Sequence, residues 1–413
     1  MRRSLILGLT AALLAGGSAV YLASAAGAAV TCEPAWSATQ VYVGGNLASQ
    51  NGHNYRAKWW TQNESPSSHS GQWDVWADQG TCGGTTPPTD PPTDPPTDPP
   101  TDPPTDPPPG NPNDPLPKHF LTGYWHNFDN PANEYRLSAV PANYDLIAVA
   151  FADATGTPGA VSFNVDAGLS AALGGYTNAN FKSDIATLHS RGKKVIISVG
   201  GERGSISVGD AASATRFADS VVNLISEYGF DGVDIDLENG LNPTYMASAL
   251  RSVRSRVGAN LIITMAPQTI DMQNPAGSYF KLALDIKDIL TVVHTQFYNS
   301  GAMLGCDNNA AYGQGTVNFI VALACIQTEA GLRPDQVAIG LPASQGAAGG
   351  GYVSPSVVNQ ALDCLARGTN CGSFRPPRTY PGIRGAMTWS INWDMTTGNG
   401  FANTVRPHLN TLP

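Results

Sequence analysis

The chain has 413 residues, 42% of them hydrophobic and 13% charged, with a formal net charge of −9. That length can bury a sizeable core and exceeds one average domain. The acidic balance argues against nucleic acid and anionic membranes as partners and suits a neutral polymer, while 44 Gly and 32 Pro point to an exported protein with a linker.

Arg2 and Arg3 precede an apolar run from Leu5 to Ala15, followed by small residues at Ala23, Ala25, Ala26 and Ala28. Residues 1–28 therefore read as a signal peptide, and the mature protein is expected to be secreted and extracellular. Gly16, Gly17 and Ser18 cut the apolar run short of the ~20 residues that span a bilayer. In an oxidising compartment the six cysteines should pair. Nearness in sequence favours Cys32 with Cys82, Cys306 with Cys325 and Cys364 with Cys371. No C-x-x-C or histidine cluster suggests a metal.

Residues 31–83 place Trp36, Tyr42, Tyr55, Trp59, Trp60, Trp73 and Trp76 between two cysteines. So small a unit cannot bury all these rings and needs a disulfide staple. Adjacent Trp59 and Trp60 point to opposite faces of any strand, so at least one is expected at the surface, where a flat ring can stack on a sugar. Residues 84–117 carry five Pro-Pro-Thr-Asp units beginning at Pro87. Proline without amide donors and mutually repelling aspartates make this an extended, semi-rigid spacer.

From residue 118 to 413 the pattern changes to short apolar runs alternating with amphipathic stretches. Strands are expected over 119–125, 144–151, 194–199, 232–237, 261–266, 292–298, 337–341 and 385–390. Eight strand and helix units in about 294 residues fit an α/β fold, a (β/α)8 barrel, better than a doubly wound sheet, for which no glycine-rich phosphate loop is present.

The fourth of these strands contains Gly232-Val233-Asp234-Ile235-Asp236-Leu237-Glu238. Alternation sends Asp234, Asp236 and Glu238 to one face and Val233, Ile235 and Leu237 to the other. Three acids on one inward face repel and are costly to desolvate, so they mark chemistry rather than structure. Asp231, out of phase, is expected to serve the turn into the strand. Acids two apart on a strand are separated by about 6.6 Å, and Asp234 and Glu238 by about 13 Å. A retaining pair must flank the bond at about 5–5.5 Å. The spacing therefore suits one general acid, Glu238, with its neighbours tuning it and the nucleophile coming from elsewhere. By the same parity His294, Gln296 and Tyr298 point into the barrel, as do Met387 and Trp389. His294 lies low enough in its strand to be a core residue.

Asp231-Gly232-Val233-Asp234-Ile235-Asp236-Leu237-Glu238 resembles the DxxDxDxE signature of glycoside hydrolase family 18, the chitinases. Ser198-Val199-Gly200-Gly201, Met265-Ala266-Pro267-Gln268, Gln296-Phe297-Tyr298-Asn299 and Trp389 resemble further family motifs in the same order. The stretch from Tyr55 to Gln62 resembles the AKWWTQ core of carbohydrate-binding modules of families 5 and 12. What the resemblance implies is a secreted, endo-acting chitinase. It would cleave β-1,4 links between N-acetylglucosamine units, with retention, using the sugar's own acetamido oxygen as nucleophile. Glu238 would be the acid and base, Asp236 would hold the acetamido nitrogen, Asp234 would share a proton with Asp236, and Tyr298 would donate to the acetamido oxygen. Trp389, Gln296, Met265, Tyr124 and Asn299 would contact substrate, and Trp59, Trp60 and Tyr42 would contact chitin in the module, with Trp36 and Trp76 packed inside. Partners are then chitin and chito-oligosaccharides, the protein is a monomer, and no cofactor is called for. Residues 342–384 show no large insertion, which implies an open groove. Gln268 and Asn299 stand where many relatives carry acids. An endo-β-N-acetylglucosaminidase acting on N-linked glycans and a non-catalytic chitin-binding lectin are the rivals, the second disfavoured because Glu238 is present.

Overall fold

A computed structural model describes residues 30–42, 45–58, 61–71, 74–83 and 116–413. The chain divides into two compact units. The leader, all of the spacer but residues 116–117, and the Trp59-Trp60 pair lie outside the described residues.

The small unit is built on a three-stranded antiparallel sheet of Leu47–Gln50, His53–Ala57 and Trp76–Thr81, with a second pair formed by Val41–Tyr42 and Thr61–Gln62. Asn51 and Gly52 make its tightest turn, both at positive φ (53° and 77°), the backbone an Asn-Gly hairpin favours. Cys32 and Cys82 are bonded as expected. Tyr42, Ala48, Tyr55, Ala57, Val75 and Trp76 form the core, with Trp36 packed partly buried against it. The expected sugar contact at Tyr42 is thereby corrected. Tyr42 is 2% exposed, its ring meets Trp76 edge-on at 5.0 Å, and its hydroxyl accepts from the Ser37 N–H at 2.9 Å. A core this small needs the large ring inside.

The large unit is a closed parallel barrel. Its eight strands, in chain order, are Phe120–His126, Leu146–Ala154, Lys194–Gly200, Gly232–Asp236, Ile262–Met265, Val292–Gln296, Val337–Pro342 and Gly385–Trp389. Each pairs with the next, and the first also pairs with the eighth, so no edge is left open. Helices such as Ala211–Tyr228, Pro243–Val257, Val317–Glu329 and Pro355–Arg367 cover the outside. Ala211–Tyr228 starts at Asp210, whose carboxylate accepts from the Ser213 N–H, and stops at Gly229 at φ 80°, which no side chain opposes.

Two cores follow from strand alternation. Val233, Ile235, Ile263, Val293 and Ile339 face the helices, whereas Phe120, Tyr124, Leu146, Ile196, Val292 and Met387 fill the barrel. His294 lies fully buried in that interior, bonded to the Thr122 hydroxyl at 3.0 Å, and burial lowers its pKa to about 3. It is a neutral core residue. Asp231 closes the barrel's floor: its carboxylate accepts from the Val195 N–H at 2.8 Å and pairs with Lys194 and His189. Cys306–Cys325 and Cys364–Cys371 pin the sixth and seventh connections to their own helices. The seventh connection holds only a 3₁₀ turn, Gln345–Ala347, and the helix Pro355–Arg367.

Candidate active site

The fourth strand ends at Asp236, so the three acids occupy three different environments along one line. Asp234 lies within the barrel and is fully buried. Its Oδ1 accepts from Thr264 Oγ1 at 2.6 Å, and its Oδ2 from the Tyr124 hydroxyl and Ser198 Oγ, each at 2.7 Å. Burial raises its pKa, and these three donors pull it back down. Three hydroxyl donors favour the ionised form of this carboxyl over the protonated one.

Asp236, 4% exposed, receives Gln296 Nε2 on Oδ1 at 2.9 Å. Burial first, then the charges of Asp234 and Glu238, hold its carboxyl well above the ordinary range. Of this coupled pair Asp236 keeps the proton while Asp234 stays charged. Asp234 thus acts on Asp236 through its field, its own acceptor sites being occupied by hydroxyls.

Glu238 stands beyond the strand, half-buried in the turn at the barrel's C-terminal mouth. Gln268 Nε2 donates to its Oε2 at 3.2 Å. Its pKa is raised by burial first and by the charges of Glu202 and Asp271 last, with the amides of Gln268 and Gln296 opposing. Desolvation leads, and the charges that add to it, Glu202 and Asp271, lie off the fourth strand.

The turn carrying Glu238 is held from both sides. Tyr279, on the helix Ser278–Asp285, accepts from the Leu237 N–H at 2.5 Å. On the third strand Gly200 and Gly201 hug the fourth, with the Gly201 N–H donating to the Asp236 carbonyl at 2.7 Å. A Cβ on Gly200 would come 2.1 Å from that carbonyl oxygen, and one on Gly201 2.7 Å from the Phe151 ring. The pair is glycine because two backbones and a ring meet there.

Tyr298 follows the sixth strand and is 8% exposed, its hydroxyl kept neutral by burial and by the charges of Asp236 and Glu238. Gln296 donates also to the Ala266 carbonyl at 2.8 Å, which fixes its amide between two strands. Trp389, half-buried at the end of the eighth strand, is bedded on Tyr124, His126, Phe128 and Phe151 at centroid distances of 4.9–6.4 Å. These rings fix its orientation at the mouth.

Two expected substrate contacts, Met265 and Tyr124, are corrected. Met265 is fully buried in the outer core: Thr264 faces Asp234, so the next residue must face the helices. Tyr124 is 1% exposed and spends its hydroxyl on Asp234. Asn299, exposed at φ 51°, accepts from the Gly350 N–H at 2.9 Å and so ties the sixth connection to the seventh, and it is not among the corrected contacts. Thr264 and Tyr279 escaped sequence reasoning. Parity with Asp234 on the paired strand would have found Thr264. No local signal marks Tyr279.

An acid row at the C-terminal mouth of a (β/α)8 barrel, with Glu238 at the rim and two acids of the same strand sealed below it, is the arrangement of a sugar-cleaving barrel enzyme. Residues 121–405 match Glycosyl hydrolases family 18, and residues 35–77 match Carbohydrate-binding module family 5/12. The chain is 41% identical over 340 residues to Chitinase Chi52 of Paenibacillus xylanexedens, covering 72% of this chain and 63% of that protein. It is 35% identical over 343 residues to Exochitinase 1 of Streptomyces olivaceoviridis, covering 70% of this chain and 55% of that one. The chain therefore spans about 63% and 55% of the length of these curated relatives. A crystal structure from Streptomyces coelicolor, provisionally named Chitinase A, is 64% identical with a TM-score of 0.70, covering 71% of this chain and 99% of that chain. The chain belongs to family 18 of the glycosyl hydrolases.

Proposed function

We propose that this chain is a secreted, endo-acting chitinase that cleaves β-1,4 links between N-acetylglucosamine units with retention. The observation that carries the reading is the gradient along one strand face. Asp234 is sealed under three hydroxyl donors, Asp236 is sealed against Gln296, and Glu238 is half-open, and burial raises the pKa of all three, that of Asp236 well above the ordinary range. One proton donor reaches the cleft, and its same-strand neighbours are too deep to attack an anomeric carbon.

In the reaction a chitin chain lies across the mouth with one ring on Trp389. Glu238 passes its proton to the glycosidic oxygen as the C1–O bond breaks. The acetamido oxygen of the same sugar closes on C1, giving an oxazolinium ion. Asp236 accepts a hydrogen bond from the acetamido N–H, the charge of Asp234 behind it offsets the positive charge, and the Tyr298 hydroxyl donates to the acetamido oxygen. Water then attacks C1, losing its proton to Glu238, and reopens the ring with net retention.

The match of the small unit to a carbohydrate-binding family and the relatives named for chitinase activity favour chitin as the polymer. Trp59 and Trp60 would be its surface contacts. The plain seventh connection favours an open groove and internal cleavage. The relative named Exochitinase 1 makes chain-end attack the alternative to exclude. Incubation with an N-acetylglucosamine hexamer, cellulose and fully deacetylated chitosan tests the reading. The expected result is internal cleavage of the hexamer with β-anomers at the new ends, and no cleavage of polymers lacking the acetamido group. Inverted products, or equal attack on cellulose, would refute the mechanism, and exclusive release of terminal units would refute the endo assignment.

A further inference from the structure

Glu238 stands in the turn after the fourth strand, and the strands beside it in the barrel are the third and the fifth. The connection leaving each of these neighbours carries a carboxylate whose charge reaches Glu238: Glu202 just past the third strand and Asp271 just past the fifth. The two acids therefore flank the proton donor from its two sides.

Both loops are held to the turn that bears Glu238. On the third side the backbone turns sharply from Gly201 to Gly204, closed by the Gly204 N–H donating to the Gly201 carbonyl at 2.9 Å, and a Cβ on Gly204 would come 2.4 Å from the Gly200 oxygen. Asn239, the residue after Glu238, clamps this turn: its Nδ2 donates to the Glu202 carbonyl at 3.1 Å and to the Gly204 carbonyl at 2.8 Å. The backbone that carries Glu202 is thus tied to the backbone that carries Glu238. On the fifth side Asp271 lies in the 3₁₀ turn Thr269–Met272, pinned to the sixth strand by Thr269 Oγ1, which donates to the Gln296 carbonyl at 2.7 Å. Asp271 Oδ2 accepts from the Gln268 N–H at 3.1 Å, and Gln268 in turn donates through Nε2 to Glu238 at 3.2 Å. One residue therefore links Asp271 to the proton donor.

Asp236 on its own strand and the neutral Tyr298 hydroxyl past the sixth also face Glu238. Glu202 is exposed, as is Arg203 next to it in the chain, and Asp271 is half-buried. Burial raises the Asp271 pKa, and the Gln268 N–H opposes this by favouring the charged form. A fixed negative charge on either side makes loss of the Glu238 proton harder. Both charges act only when ionised, so their field grows as pH rises, where the donor is losing its proton.

We propose that Glu202 and Asp271 are positioning residues of the reaction, a pair of amide-held carboxylates whose charge, set on either side of Glu238, keeps the donor protonated as the pH rises. The inference rests on the chitinase reading above and adds to it what sets the upper pH limit of cleavage. Both residues act through Glu238 rather than on the sugar, Asp271 also by way of Gln268.

The test records kcat/KM on the N-acetylglucosamine hexamer against pH for the native chain, Glu202→Gln, Asp271→Asn and the double variant, at low and high ionic strength. Glutamine and asparagine keep the shape and an acceptor oxygen and remove only the charge. Each single variant should move the alkaline limb to lower pH. Beyond the limb kcat/KM should fall about threefold relative to the same variant's value on the acidic side, the worth of one solvent-screened charge. Salt should move the native limb the same way and that of the double variant far less. Glu202→Asp, which restores the charge, should restore the limb. Tm reports folding in the same samples, and should Asp271→Asn fail to fold, Glu202→Gln on its exposed loop decides. A limb that stays in place in folded variants, or a loss equal at every pH, overturns the role of the pair alone when the native chain cleaves the hexamer. Failure of the native chain to cleave it overturns the chitinase reading and this role with it.

Discussion

Thr264→Val deletes one oxygen from the sealed base of the acid row. Thr264 is fully buried and its hydroxyl meets Asp234 Oδ1 at 2.6 Å, while the other two donors serve Oδ2. Valine keeps the β-branched shape on a strand but leaves Oδ1 without its donor. Losing a hydrogen bond to a buried charge costs about 1.5–3 kcal/mol. For a domain near 300 residues that corresponds to a fall in Tm of about 2–5 °C. The pH dependence has a definite sign. Burial raises the Asp234 pKa above its ordinary value, so the stability this group contributes is present in acid and is lost as pH rises through the folded value. Removing a donor raises that value further. The deficit of the variant should therefore be largest at neutral pH and shrink below about pH 4, where Asp234 is protonated in both states. Activity should fall through kcat, because a less charged Asp234 no longer holds the proton on Asp236. Thr264→Ser, which keeps the hydroxyl, should recover both. Calorimetry and pH–rate profiles on the three proteins are the assay. An unchanged Tm at neutral pH, or a deficit that grows in acid, would show that Asp234 is not the charged member of the pair.

Glu238→Gln should leave the fold intact and reduce hydrolysis of chitin oligomers by about 10²–10⁴-fold, the usual worth of a positioned acid. Substantial turnover by the folded variant would reject Glu238 as the donor. Tyr279→Phe removes the acceptor for the Leu237 N–H, costing about 1 kcal/mol in stability and lowering kcat while KM changes little, since Tyr279 positions the Glu238 turn. A loss confined to KM would contradict that role. Replacing Trp59 and Trp60 together by alanine should weaken retention on insoluble chitin and spare cleavage of soluble oligomers, and unchanged sedimentation with chitin would rule the pair out.

Much of the site was legible because strand alternation is local. A period of two over Asp234, Asp236 and Glu238 orients three side chains without any knowledge of their neighbours. The same rule placed Gln296, Tyr298 and Trp389 at the mouth and put His294 and Met387 inside. It failed at Met265 because parity was not carried across from Asp234 to its partner Thr264 on the next strand. Tyr124, a substrate contact by resemblance, sits deeper because its strand continues past it to His126.

What the chain determines by itself is the repeat of eight strand and helix units, the face on which the acids lie, and three disulfides that join the nearest cysteines. Each is a short-range property of spacing. Tertiary structure alone decided that Asp234 is saturated by hydroxyls from strands one, three and five, that Tyr279 braces the turn bearing Glu238, and that Tyr42 is needed inside its small core. Those outcomes depend on groups distant in sequence competing for one buried volume, and closure of the barrel is what brings them together.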